Sequence, residues 1–240
     1  MINLAKLDRR GVGKLFDYSI LPKQSTEQEI RRGCREAVAY NCAAFYSASP
    51  YWTPVVKEEL AGTDVLIATG IDFPWGAAPV PVKLLEAELA LAAGCQSVDL
   101  VIHAGALKSG HVDAVRQEIR EFVSLAKGRA LTKIILEVCF LTNQEIVTGC
   151  RLIQEAGADY AKTSTGQFEG PDMAQVLLMR ETLKGSDVKL KVAGVKYPRP
   201  QNAYAFILAG ADLIGTRAAP EIIDALEQMR AIGLVPPYEP

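Results

Sequence analysis

A chain of 240 residues, 49% of them hydrophobic, carries enough apolar material for one sizeable α/β core and shows no compositional bias toward disorder. Its 26 basic and 28 acidic residues leave a formal net charge of −2, which argues against a nucleic-acid or anionic-membrane partner. No apolar run approaches the ~20 residues of a membrane span, and the opening "MINLAKLDRRG" lacks the apolar segment of a secretion signal. The five cysteines, Cys34, Cys42, Cys95, Cys139 and Cys150, form no C-x-x-C pair. A reducing, cytoplasmic setting with thiols in the core is expected.

Strand patterns alternate with helical ones along the whole chain. Strands are predicted near 15–20 (LFDYSI), 42–47 (CAAFYS), 64–69 (DVLIAT), 96–102 (QSVDLVI), 132–138 (TKIILEV), 158–163 (ADYAKT), 187–193 (DVKLKVA) and 212–215 (DLIG). The first helix opens at Thr26 with Glu29 at capping-box spacing, and Thr142 with Glu145 and Asp172 with Gln175 repeat that spacing. A short helix is predicted near 53–60 and a longer one over 80–93. Over 111–127, Val112, Val115, Ile119, Phe122 and Val123 recur at helical spacing. Helices near 200–209 and 220–231 complete the series, the last with Pro220 at a plausible first position. "EAGADYAK", "LAGADLIG" and, more loosely, "LAAGCQSVDL" share one junction, in which a glycine supplies a left-handed helix stop before a strand. Eight strand–helix units without a Pro/Gly/Ser linker predict a single domain over 1–240, an α/β chain folded as a (β/α)8 TIM barrel. The doubly wound sheet is the alternative, but no G-x-G-x-x-G follows the first strand.

In such barrels the chemistry lies at the carboxyl ends of the strands. Side chains alternate across a strand. In "SVDLVI" the apolar residues Val98, Leu100 and Ile102 take the helix-facing side, so Asp99 is expected to point inward. In "VKLKVA" the same reasoning turns Lys189 and Lys191 inward. In "YAKTS", Tyr160, Lys162 and Ser164 share a face, and Glu137 is a candidate to join them. Inward charges are costly unless paired. The group reads either as a structural ion-pair network or as an amine catalyst, a lysine kept neutral by burial and by a second ammonium. Spacing alone leaves both open.

The segments "ATGIDFPWGAAPVPVKLLEAELALAAGCQSVDLVIHAGALKSG" (68–110), "ILEVCFLTNQEIVTGCRLIQEAGADYAKTSTG" (135–166) and "KVAGV" (191–195) resemble the deoxyribose-phosphate aldolase family. The likeness runs from "FDYSIL" to "LIGTR". It implies a class I aldolase on a TIM barrel that needs no cofactor and no metal. It further implies Lys162 of "KTSTG" as the Schiff-base lysine, Lys191 as the second lysine that perturbs it, and Asp99 as the proton-relay aspartate.

Departures from the family pattern cluster where substrate would bind. "DYSILPK" (17–23) stands for a D-H-T-L-L-K-P type motif, and "YSASP" (46–50) for C-V-N-P. Gln167 occupies the place of a lysine, "GVKYP" (194–198) is one glycine short, and "GTRAAP" (215–220) lacks two serines. Ser19, Gly194, Lys196, Gly215 and Arg217 are the candidate anion-binding residues. Arg217 beside a helix start opposes the helix dipole unless an anion lies between.

The remaining side chains carry weaker expectations. His103, Lys108, Trp52 and Trp75 are candidates for the catalytic face, and Tyr238 in the tail "VPPYEP" for an approach to the site. With only two histidines, a histidine-rich zinc cage is not expected. The expected activity is reversible cleavage of 2-deoxy-D-ribose 5-phosphate to glyceraldehyde 3-phosphate and acetaldehyde. The alternatives are a Schiff-base aldolase for another phosphorylated or acidic sugar, and a barrel that binds a metabolite without turnover. The expected partner is a small anionic sugar, with a homo-oligomer possible.

Overall fold

The computed structural model describes residues 2–239. Its strands are β1 (Phe16–Ile20), β2 (Ala44–Ser47), β3 (Leu66–Ile71), β4 (Ser97–Val101), β5 (Leu131–Ile135), β6 (Tyr160–Lys162), β7 (Lys189–Ala193) and β8 (Leu213–Thr216). Each pairs in parallel with its sequence neighbour, and β1 pairs with β8, closing the barrel. This is the predicted (β/α)8 architecture.

The helices are α1 (Arg9–Gly13), α2 (Glu27–Ala39), α3 (Thr53–Glu59), α4 (Val80–Ala93), α5 (Ala104–Lys108), α6 (Val112–Ala126), α7 (Asn143–Ala156), α8 (Met173–Thr182), α9 (Arg199–Leu208), α10 (Ala219–Asp224) and α11 (Leu226–Ala231). The three predicted capping boxes all form, at Thr26–Glu29, Thr142–Glu145 and Asp172–Gln175. Gly94, Gly157 and Gly210 take positive φ at the ends of α4, α7 and α9, as the shared junction requires. On α6 the helical stripe buries Val115, Ile119, Phe122 and Val123. They meet the outward strand residues Val98, Leu100, Ile134, Leu190 and Val192 in one core. Each such side chain contributes about 1.5–3 kcal/mol on burial.

Three details differ from the sequence reading. The last predicted helix is two helices broken at Ala225. Two five-residue helices, α1 and α5, are added, each too short to show an apolar period. Strand β5 stops at Ile135, because Glu137 adopts φ 55 and turns the chain into the barrel mouth.

Candidate active site

Register places the site. Pairing of β6 with β7 sets Lys162 beside Lys191, and pairing of β4 with β5 sets Asp99 beside Lys133. Lys162 Nζ donates to Asp99 Oδ2 at 2.7 Å. Lys191 Nζ donates to the same oxygen at 3.0 Å and to Asp17 Oδ2 at 2.7 Å. Lys133 Nζ closes the series on Asp17 Oδ2 at 2.7 Å. Five buried charges of alternating sign thus cross the barrel interior, none more than 3% exposed. Glycine at 215 makes this possible, since a Cβ there would stand 3.0 Å from Lys191 Cε.

Burial is the largest influence on Lys162 and disfavours its ammonium form. Asp99 opposes this, while Lys191 and Lys133 reinforce it, and the amine is lowered to about 8. Burial also disfavours charge on Lys191, but Asp17 and Asp99 outweigh it and hold this lysine above its ordinary value. Burial would raise Asp99, yet three surrounding lysines keep it below the usual carboxylate range. Asp99 shares one oxygen between two ammoniums, so it stabilises neither fully. The arrangement yields one amine that loses its proton readily, one that stays cationic, and a carboxylate touching both.

Lys191→Leu removes a like charge from beside Lys162. The variant's rate–pH profile is expected to rise at higher pH than the wild type, because the amine keeps its proton longer. An unmoved limb with intact turnover would make Lys191 structural.

A pocket of about 210 Å³ opens above Lys162. Ser19, Gly194, Lys196, Gly215 and Arg217 all line it, whereas Asp99 and Lys191 are not among its lining residues and reach Lys162 through the hydrogen bonds to Asp99 Oδ2. Three details change the sequence picture of this rim. Lys196 is paired with Glu169 at 2.5 Å, so its charge is partly answered. The helix after Arg217 has six residues, too few for a strong dipole argument, so Arg217 counts as a cation lining the pocket. Arg199, at the start of α9, adds a third rim cation that the sequence reading omits.

Other expected candidates lie elsewhere. Lys189 is exposed at the start of β7, its Nζ 5.8 Å from the Tyr160 ring, and does not join the buried lysine–aspartate chain. Glu137 is buried but accepts the Thr165 N–H at 3.1 and 3.2 Å, so it fixes the "KTSTG" backbone without joining the lysine–aspartate chain. His103 caps α5 by accepting the Ala106 N–H. Lys108 is held by the Phe140 carbonyl and Glu145. Trp75 meets Phe168 edge-on at a neighbouring apolar pocket, and Trp52 packs edge-on against Tyr51. Tyr238 packs on Arg230, while the Glu239 N–H binds the Ala5 carbonyl. Tyr238 and Glu239 are therefore tied to α11 and the N-terminal segment, and neither is among the described residues that line the pocket above Lys162.

Asp17, Lys133 and Tyr46 were missed. Lys133 was legible by the rule that found Lys191, a lone charge alternating with Thr132, Ile134 and Leu136. Asp17 follows from the need of two inward lysines for a second acid. Tyr46 opens the "YSASP" departure, but as one more aromatic residue in an apolar strand it was not singled out.

No family model matches the chain. A deoxyribose-phosphate aldolase of Clostridium novyi (strain NT) is 41% identical over 221 residues, covering 92% of this chain and 98% of the relative. The chain belongs to the deoxyribose-phosphate aldolase family. A deoxyribose-phosphate aldolase of Enterococcus faecalis (strain ATCC 700802 / V583) is 42% identical over 215 residues, covering 88% and 96% of the two chains. The solved deoxyribose phosphate aldolase of Aeropyrum pernix, described as having a unique tetrameric structure, superposes with a TM-score of 0.84. It is 30% identical and covers 94% of this chain and 95% of its own. In this deoxyribose-phosphate aldolase family member, Lys196 of "GVKYP" and Arg217 of "GTRAAP" line the pocket together with Arg199, which follows "GVKYP".

Proposed function

We propose that this chain is a class I aldolase that cleaves 2-deoxy-D-ribose 5-phosphate reversibly to glyceraldehyde 3-phosphate and acetaldehyde, with Lys162, Lys191 and Asp99 as its catalytic residues. The observation that carries the reading is an amine lowered to about 8, 2.7 Å from a carboxylate, under a pocket rimmed by cations. Neutral Lys162 Nζ attacks the C1 aldehyde of the open-chain sugar. Asp99 relays the protons that turn the carbinolamine into the imine and release water. The protonated imine then accepts the electron pair of the C2–C3 bond as the C3 hydroxyl loses its proton. Glyceraldehyde 3-phosphate leaves, and the remaining enamine is protonated at C2 and hydrolysed to acetaldehyde and free Lys162. Lys191 stays cationic and biases Lys162 toward the neutral form.

Retro-aldol assay of 2-deoxy-D-ribose 5-phosphate, paired with borohydride reduction and peptide mass mapping, tests this directly. The expected adduct is on the peptide containing "KTSTG". An adduct on Lys191 or Lys189 would overturn the assignment.

The substrate's anionic group belongs, in this reading, to the rim formed by Ser19, Gly194, Gly215, Arg217 and Lys196. Arg217 is the principal contact because it makes no ion pair among the described residues, whereas Lys196 has Glu169 and Arg199 lies 3.6 Å from Glu221. A charged hydrogen bond is worth about 1.5–3 kcal/mol. Arg217→Ala is expected to lose on the order of ten- to a hundred-fold in kcat/KM for the phosphorylated sugar, and much less for 2-deoxyribose itself. Equal effects on both would remove Arg217 from the substrate site.

The added rim cations also favour a second reading, the same Schiff-base chemistry on another phosphorylated or acidic sugar. A substrate panel separates the two. A single domain, a cytoplasmic setting and self-association complete the proposal. No described helix is long and apolar enough to cross a membrane, the cysteines are free, and the Aeropyrum pernix relative is described as tetrameric.

A further inference from the structure

Lys83, on α4, is 1% exposed and lies outside the lysine–aspartate chain of the barrel interior. Its Nζ donates to the Gly76 carbonyl at 2.8 Å, to the Val101 carbonyl at 2.9 Å and to Glu118 Oε1 at 2.5 Å. All three donors of the ammonium are thereby used. Asp72 Oδ2 stands 3.3 Å away. Glu118, on α6 and 3% exposed, accepts the His103 N–H at 3.1 Å with its other oxygen.

These contacts lie where pairing between β3 and β4 stops. The two strands last pair at Ile71 and Leu100, and Asp72 then takes φ 52. One residue past that pair, the Val101 carbonyl takes a hydrogen bond from Lys83, on the helix that follows β3. Gly76 lies in the loop before that helix. A Cβ there would fall 2.3 Å from the Ile102 carbonyl oxygen, so the loop backbone rests directly on the end of β4. Lys83 thus fastens the loop after β3 to β4, and Glu118 extends the hold to His103.

Asp99 stands two residues before Val101, and its register partner Gly70 two residues before Asp72. The carboxylate is hydrogen-bonded through one oxygen alone. Lys162 and Lys191 both bond Oδ2, while Oδ1 has no hydrogen-bond partner and stands 4.0 Å from Lys133 Nζ. The backbone of β4 must therefore set where the carboxylate stands. A proton carrier works only within hydrogen-bond reach of the group it serves, about 2.6–3.2 Å.

We infer that Lys83 is a positioning residue for the reaction, whose buried contacts with Gly76, Val101 and Glu118 hold the end of β4 so that Asp99 stays in place against Lys162. The inference rests on the Schiff-base reading of Lys162 and on the proton-relay role of Asp99.

The test compares the full-length wild type with Lys83→Met and with Lys83→Met/Glu118→Gln, which removes the carboxylate that methionine alone would leave unpaired. Retro-aldol kinetics on 2-deoxy-D-ribose 5-phosphate across pH, urea unfolding and borohydride trapping are run on each preparation. In folded enzyme, kcat should fall about 10- to 100-fold, the scale on which a misplacement of about 1 Å reads. KM should change little, because Lys196, Arg199 and Arg217 follow β7 and β8. The rising limb of the rate–pH profile should move to lower pH, since Asp99 raises the proton affinity of Lys162 and would hold it less well. A residue serving stability alone would lower the urea midpoint and leave kcat and the limb in place. An unmoved kcat or an unmoved limb in folded enzyme overturns the positioning role. Failure of both variants to fold overturns it equally, by confining Lys83 to the fold. A wild-type borohydride adduct on a lysine other than Lys162 overturns the Schiff-base reading instead.

Discussion

Lys162→Arg is expected to lose about 10⁴–10⁶-fold in retro-aldol turnover, the scale on which removal of a covalent nucleophile reads in well-studied enzymes. Arginine retains a cation beside Asp99, so the buried charge pairing survives and the barrel should fold. The guanidinium, however, stays protonated at every accessible pH and cannot offer a free electron pair to a carbonyl. The wild-type amine, lowered to about 8, is partly neutral near physiological pH. The measurement is kcat for the deoxysugar phosphate, together with borohydride trapping. The variant should yield no adduct on the "KTSTG" peptide while its circular dichroism matches the wild type. A folded variant with wild-type turnover would leave the lysines as a structural ion network, the reading that spacing alone had left open.

The fold was legible because each level of the sequence agrees with the next. The capping boxes at Thr26, Thr142 and Asp172 and the glycine stops at Gly94, Gly157 and Gly210 mark helix ends, while the apolar runs between them can only be strands. Lys162, Lys191 and Asp99 stood out because a charge among alternating apolar residues must face inward. Lys189 obeys the same alternation but begins its strand, where the barrel end is open to water, so face alone overestimated it. Glu137 was misplaced for a different reason. The alternation assumed an extended chain, and the left-handed backbone at that residue ends the strand early. Asp17 and the pocket position of Tyr46 depend on register across the barrel, between β1 and β8 and between β2 and β3. No local window contains that information.

Asp99→Asn separates the two roles the geometry gives this carboxylate. As a proton carrier 2.7 Å from Lys162 Nζ, it is expected to account for about 10²–10⁴-fold of the rate, and an amide of the same shape cannot replace it. As a counter-charge, Asp99 raises the proton affinity of Lys162 against the stronger effect of burial. Its loss should therefore move the rising limb of the rate–pH profile to lower pH, the reverse of the shift expected for Lys191→Leu. The two variants together assign signs as well as sizes. Removing one partner of a buried charge pair ordinarily costs about 3–5 kcal/mol. Lys162 can avoid much of that by shedding its proton, and Lys191 retains Asp17 at 2.7 Å. Urea unfolding of Asp99→Asn should then show a smaller loss at pH 9 than at pH 6, since the neutral amine needs no counter-ion. A limb that stays in place with near-normal kcat would assign the proton transfers to another group and leave Asp99 as a partner for the lysines alone.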